Sequence, residues 1–255
     1  MTDRSSSALP LAHVHYPESD GEPMGETDKH IDETIAFRLT LAARYESAPD
    51  VYVAGNNLIY YEEGNPAKRF SPDVYVVVGI AKRQRRIYKL WEEGVPPTFV
   101  LEVSSRGTSM EDEGNKKVLC RRLGVREYFL FDPEGDYLDP RLQGYELTGS
   151  EYRRIPPGAD GGVESRVLGI RMRVDGEQLR AVDVRTGEPL RRPEEERRAR
   201  SLSDQRAESE RQRADDERRR ADDERRRADT AEERAARAEA ELAALRGRLG
   251  GRSDD

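Results

Sequence analysis

The stretch PPTFVLEVSSRGTSMEDEGNKKVLCRRLGVREYFLFDP, residues 96–133, decides how this chain folds. Thr98 to Val103 is a short β-branched and aromatic run behind two prolines, which predicts a strand. Glu127 to Phe131 (EYFLF) predicts another. Between them, Met110 to Leu123 opens with acids, closes with Arg121 and Arg122, and is followed by Gly124. That polarity suits a helix dipole, and glycine suits the left-handed residue just beyond a helix end. Strand, helix and strand at this spacing predict a crossover between two parallel neighbours.

Working outward, Val51-Tyr52-Val53, Leu58 to Tyr61 and Val74 to Val78 predict further strands. Ahead of them, Thr27 and Asp28 can cap a helix that ends before Pro49. Ile31, Ile35, Leu39 and Ala42 recur there at spacings of four, four and three, which predicts the apolar face. Beyond Phe131, the segment from Leu142 to about Leu190 is broken by Thr148-Gly149, Asp175-Gly176 and Thr186-Gly187, and predicts strands added at the sheet edge. The expected class is α/β (α+β), a mixed sheet flanked by helices and followed by a long C-terminal helix.

The rest of the composition belongs to that tail. Hydrophobic residues make up 35% and charged residues 37%, and mean hydropathy is -0.92, so some stretch must be almost all surface. From Pro193 onward there are 19 acids and 17 bases, net -2; the remaining 32 acids and 27 bases leave the body at -5, within a total of -7. No basic surplus marks a constitutive nucleic-acid binder. A seven-residue repeat runs through ADDERRR (214–220), ADDERRR (221–227), ADTAEER (228–234) and AARAEAE (235–241). With Ala214, Ala221, Ala228, Ala235, Leu242 and Leu249 at position a, position d holds Glu217, Glu224, Ala231, Ala238 and Leu245. A coiled-coil seam wants apolar residues at both, so only the last heptads can pair with a second copy. The alternative is a solvated single helix or a partly disordered extension. The expected divisions are a flexible leader over 1–22, a folded domain over 23–192, a helical tail over 193–249 and a disordered end over 250–255.

The single cysteine, Cys120, excludes an intrachain disulfide and fits a reducing cytoplasm. No apolar run approaches the roughly 20 residues that span a bilayer, which predicts a soluble cytoplasmic protein without a membrane partner. There is no G-x-S-x-G, P-loop or His/Cys cluster to suggest a different hydrolase.

Candidate chemistry sits at two strands. Asp73 stands behind Pro72 at a strand start, and Glu102 is a lone carboxylate in the apolar run FVLEV. A buried carboxylate needs a cation, hydrogen bonds or a cleft. Two of them on adjacent strands make a hard-oxygen pocket suited to Mg²⁺. On the following helix, Lys116, Cys120 and Leu123 fall at i, i+4 and i+7, which turns Lys116 towards the sheet and leaves Lys117 on a more exposed arc. On the residues alone, Lys116 reads more readily as a lysine whose buried stem snorkels to solvent or as a plain salt bridge to Glu102. Lys68, Arg69, Arg83, Arg85, Arg86 and Lys89 could contact phosphate, or form an ordinary solvated charge run.

The run SPDVYVVVG (71–79), the stretch quoted first with its LGVREYFLFDP (123–133) and the later TGEPL (186–190) together resemble the Uma-two family of restriction-endonuclease-like proteins, formerly a domain of unknown function. That family belongs to the PD-(D/E)XK nuclease superfamily. The resemblance spans roughly Gly21 to Leu190 and implies a restriction-endonuclease-like mixed sheet. It implies Asp73 and Glu102 as metal-binding carboxylates, with the backbone of Val103 completing the site. The superfamily's usual lysine position, two residues after the glutamate, is Ser104 here; the resemblance instead puts the working lysine on the next helix, at Lys116. Glu26 and His30 stand where the superfamily often has an acidic or polar residue, although His30 also reads as a surface histidine at a helix start.

The expected function is that of a Mg²⁺-dependent endonuclease (Mn²⁺ as substitute) hydrolysing DNA, with DNA a transient partner and a homodimer formed through the domain or the tail. The competing reading is a non-catalytic nuclease-fold interaction protein that recruits partners or oligomerises through its helical tail.

Overall fold

The computed structural model describes residues 14–19, 27–104 and 112–250, except the side chains of 112, 113 and 246–250. In chain order the elements are α1 (Asp28–Arg44), β1 (Val51–Ala54), β2 (Ile59–Tyr60), β3 (Arg69–Phe70), β4 (Val74–Val78), β5 (Tyr88–Lys89), α2 (Leu90–Glu93) and β6 (Phe99–Val103). A π-helical turn, Asp112–Lys116, leads into α3 (Lys117–Leu123). There follow β7 (Glu127–Phe131), β8 (Leu142–Thr148), β9 (Glu151–Arg154), β10 (Val163–Ser165), β11 (Ile170–Asp175), β12 (Gln178–Asp183) and α4 (Pro193–Gly250). Met110 and Glu111, expected to open the crossover helix, lie outside the described residues.

Six strands form one mixed sheet in the order β1-β4-β6-β7-β8-β9. Among the described residues of this sheet only β6 and β7 pair in parallel, as the crossover spacing predicts, and Gly124 closes α3 in the left-handed conformation at φ 81°. Alternation along the central strands separates two cores. Val74 and Val76, Phe99, Leu101 and Val103, and Phe129 and Phe131 share one cluster with Phe37 and Leu41 of α1. Tyr75 and Val77, Val100, and Tyr128 and Leu130 join Cys120 of α3 and Ile59 of β2 in the other. The central strands are buried on both faces, so they read as near-continuous apolar runs.

The region after Phe131 departs from its expected form. β8 and β9 do extend the sheet edge, but β10, β11 and β12 make a separate three-stranded antiparallel sheet. Their Val163, Ile170, Met172, Leu179 and Ala181 close over the α1 side of the main sheet. Gly144 permits this approach, since a Cβ there would lie 2.6 Å from Phe129 and 2.8 Å from Val163. A third small sheet, β3-β2-β5, flanks the opposite side.

Helix α1 forms where expected, with the Thr27 hydroxyl accepting from the His30 N–H, but its phase differs. Ile35 and Leu39 are exposed, while the buried face carries His30, Glu33, Thr34, Ala36, Phe37, Thr40 and Leu41. Polar groups can face inward here because they find partners there. Glu33 accepts from the Leu179 N–H and pairs with Arg192 at 2.7 Å, tying α1 to β12 and the segment after it.

The chain divides into two compact units, Met1–Pro193 and Glu194–Asp255. The 58-residue α4 is about 87 Å long at 1.5 Å per residue. Its side chains from Ser201 to Leu245 are all exposed. Among the described residues no helix is long and apolar enough to cross a membrane.

Candidate metal and catalytic centre

Asp73 stands just before β4, and the β4–β6 register (Val74 opposite Leu101, Tyr75 opposite Val100) brings it across from Glu102. Side chains take over the ladder at this point. The Asp73 N–H donates to Glu102 Oε2 at 3.3 Å, and the Val103 N–H donates to Asp73 Oδ2 at 2.7 Å. Pro72, which has no N–H to offer a ladder, accepts at its carbonyl from the Asn56 N–H. Gly55 lies so close to this corner that a Cβ on it would run into the Asp73 carbonyl oxygen. A tight β1–β2 corner therefore fixes where the carboxylate begins.

Glu102 is fully buried on the α3 side of β6. Lys116, at the last position of the π-helical turn, places Nζ 3.1 Å from Glu102 Oε2 with its side chain mostly buried. Cys120 lies one turn on, and burial with the nearby Glu102 pushes its thiol pKa well up against the opposing pull of Lys116. Such a thiol is inert packing. Lys117 goes elsewhere: its Nζ sits 3.5 Å from the centroid of the Tyr145 ring.

His30 is buried rather than on the surface, at 1% exposure, with Nε2 3.1 Å from Asp73 Oδ2. In the tautomer with the proton on Nε2, or as the cation, it donates to that oxygen. Ser104 is buried, and its N–H continues the β6–β7 ladder to the Phe131 carbonyl at 2.7 Å. Its hydroxyl has no hydrogen-bond partner among the described residues. Glu26 lies outside the described residues.

The structure thus brings Asp73, Glu102, Lys116 and His30 together from four segments and sends Lys117 away. Among the described residues no group of three or more His, Cys, Asp or Glu forms a ready cation cage. Two carboxylates are what Mg²⁺ typically takes from a protein, with backbone, water or phosphate oxygens completing its shell, so the donor set fits that ion.

Two further buried carboxylates are clamps that strand patterning does not reveal. Glu127 accepts from the Ser165 hydroxyl and from the N–H groups of Arg166 (2.8 Å) and Val167 (3.1 Å). Burial raises its pKa, and these hydrogen bonds oppose the rise. Asp132 accepts four backbone N–H bonds, from Glu134, Gly135, Tyr137 and Leu138. Its signal was the Asp-Pro-x-Gly run, an Asx-type turn.

A model of the Uma2 family, described as "Putative restriction endonuclease", matches residues 12–174, well over half the chain. No curated protein matches. The crystal structure of a protein described as "a putative nuclease belonging to DUF820", from Anabaena variabilis, aligns at 15% identity and a TM-score of 0.44. The alignment covers 61% of this chain and 86% of that one.

Proposed function

This chain belongs to the Uma2 family, and from that premise we propose that it is a Mg²⁺-dependent endonuclease acting on DNA through Asp73, Glu102 and Lys116. The observation that carries the reading is the meeting of these three groups at the β4–β6 end: each carboxylate accepts from the backbone beside the other, and the lysine closes on Glu102. Burying an ammonium and two carboxylates is costly, and apolar side chains would fill the same space at less cost. Retaining them suits a site that must meet a cation and a phosphate.

Asp73 and Glu102, with the backbone of Val103, would hold the ion. Mg²⁺, when bound, polarises a phosphate and lowers the pKa of its water. Lys116, beside Glu102, would direct its ammonium to the attacking water and the charge growing on phosphate oxygens. Hydrolysis places the water's hydroxyl on phosphorus and a proton on the departing sugar oxygen. His30 is a positioning residue, since a donor at 3.1 Å orients the Asp73 carboxylate as outer partners of metal ligands do.

Incubation of the purified chain with plasmid and single-stranded DNA, with Mg²⁺, Mn²⁺ or chelator, tests this. Cleavage should require the divalent ion and disappear in Glu102→Ala. Calorimetric titration with Mn²⁺ should show binding that the same substitution abolishes. Unchanged Mn²⁺ binding in Glu102→Ala overturns the site, and absence of cleavage on every substrate overturns the activity.

A further inference from the structure

A cavity of about 840 Å³ opens along the free edge of β1, between α1 and the segment before β5. Its wall carries Arg38, Lys82, Arg83, Arg85 and Arg86, and no carboxylate lines it. On a chain of net charge -7 this is a local inversion of sign. Only Glu93, shared by Arg83 and Arg85, and Glu18, beside Arg86, form ion pairs with these cations among the described residues. Five cations against two carboxylates leave three charges unmatched.

We infer that this cavity seats the phosphate backbone of the nucleic-acid strand leading into the Asp73 site. The inference rests on the endonuclease reading and adds the surface that holds the substrate. Cations over an edge strand can serve merely to keep other strands from pairing there. That task needs only exposed, mobile charge, whereas this wall is built. The Arg85 side chain is 2% exposed, lies 4.5 Å over the Tyr52 ring and is gripped by Glu93. Lys82 is pinned to the carbonyls of Tyr45 and Glu46 at the end of α1. Those two fix the wall, and Arg38, with Arg83 and Arg86 in exposed ion pairs that a phosphate can displace, meets the ligand. Asn57 also lines the cavity.

The cavity also leads to the right place. Gly55 is one of its lining residues, and a Cβ there would touch both the Asp73 carbonyl and, at 3.4 Å, the Arg38 stem. Arg38 is eight residues beyond His30 on α1, about 12 Å along the helix. A strand with a phosphate at Asp73 and Glu102 therefore continues into the basic cavity.

The test is fluorescence anisotropy of the full chain, in chelator to prevent turnover, with a labelled single strand about 20 nucleotides long at several salt concentrations. Arg38→Ala/Arg83→Ala/Arg86→Ala should bind at least ~10-fold more weakly at low salt, with a salt slope lower by about two, from ~0.7 per lost phosphate contact. Asn57→Asp, which adds a carboxylate to the cavity lining, should weaken binding in the same direction. Arg153→Ala/Arg154→Ala/Arg173→Ala, an equal charge change on exposed residues of β9 and β11, should leave binding near that of the parent chain. Equal loss in both triple variants, or none in either, overturns the cavity as the seat while leaving any cleavage intact. Cavity-dependent binding with no cleavage under any ion overturns the endonuclease reading and leaves the cavity standing. A parent chain that binds no DNA overturns the inference.

Discussion

Lys116 reaches Glu102 at 3.1 Å while Lys117 lies 3.5 Å over the Tyr145 ring, because neighbouring helical positions point about 100° apart. The two substitutions should therefore separate. Lys116→Ala should lower the cleavage rate by about 10²–10³, the usual loss for one donor to developing charge, with Mn²⁺ affinity nearly unchanged. Because that change also leaves Glu102 buried without its cation, Lys116→Gln serves as a second variant, keeping a donor while losing the charge. Lys117→Ala should lose only a surface cation–π contact of about 0.5–1 kcal/mol, visible in stability and not in turnover. A silent Lys116→Ala together with a damaging Lys117→Ala would place the working ammonium on the wrong lysine and remove the site assignment.

At the scale of elements, α1 is positioned by polar side chains at both ends. His30 anchors its start to Asp73, and Arg44 anchors its last turn to Asp183 on β12 at 2.5 Å. The Arg44 guanidinium, with the Thr186 N–H, holds the Asp183 carboxyl down from 3.8 to about 2. A carboxylate whose folded pKa is depressed adds stability above its unfolded value, and that contribution is lost as pH falls through the folded value. The urea midpoint of the parent chain should thus exceed that of Asp183→Asn by a steady margin above pH 4. The margin should narrow between pH 3.8 and about 2. A margin independent of pH across that window would mean that the ionised carboxylate of Asp183 adds nothing to stability.

The molecule as a whole is two units of different physics. The first buries sheets and helices around two apolar clusters, where side chains such as Phe129 and Leu101 each contribute about 1.5–3 kcal/mol. The second is one helix whose side chains from Ser201 to Leu245 are all exposed. A helix of this length gains little from propensity alone and is stabilised best by packing a face against a partner. Leu242 and Leu245, exposed at 54% and 55%, lie on the apolar seam of its last heptads; the side chain of Leu249 is outside the described residues. Sedimentation should therefore show a concentration-dependent dimer of the full chain and a monomer for Leu242→Asp/Leu245→Asp. Equal masses would leave the tail with no part in self-association.

Sequence alone determined what depends on neighbours along the chain. The strands of residues 96–133, the left-handed Gly124, the parallel crossover and the long charged helix all follow from local periodicity and end signals, which act within a few residues. That Glu102 would meet Asp73 and Lys116 was legible from its lone charge in the apolar run FVLEV, the strand start at Asp73 and the helical stripe that Lys116 shares with Cys120. Tertiary structure decided which face of α1 is buried, because His30 and Glu33 turn inward only where Asp73 and Arg192, far off in sequence, satisfy them. It also decided that β10 to β12 form their own sheet, since closure over Phe129 depends on the space left at Gly144. Likewise, only the fold gathers Arg38 from a helix and Arg83 and Arg86 from a loop around one cavity. Each of these outcomes sets the cost of burying a polar group or filling a volume against a partner tens of residues away, a balance no local pattern records.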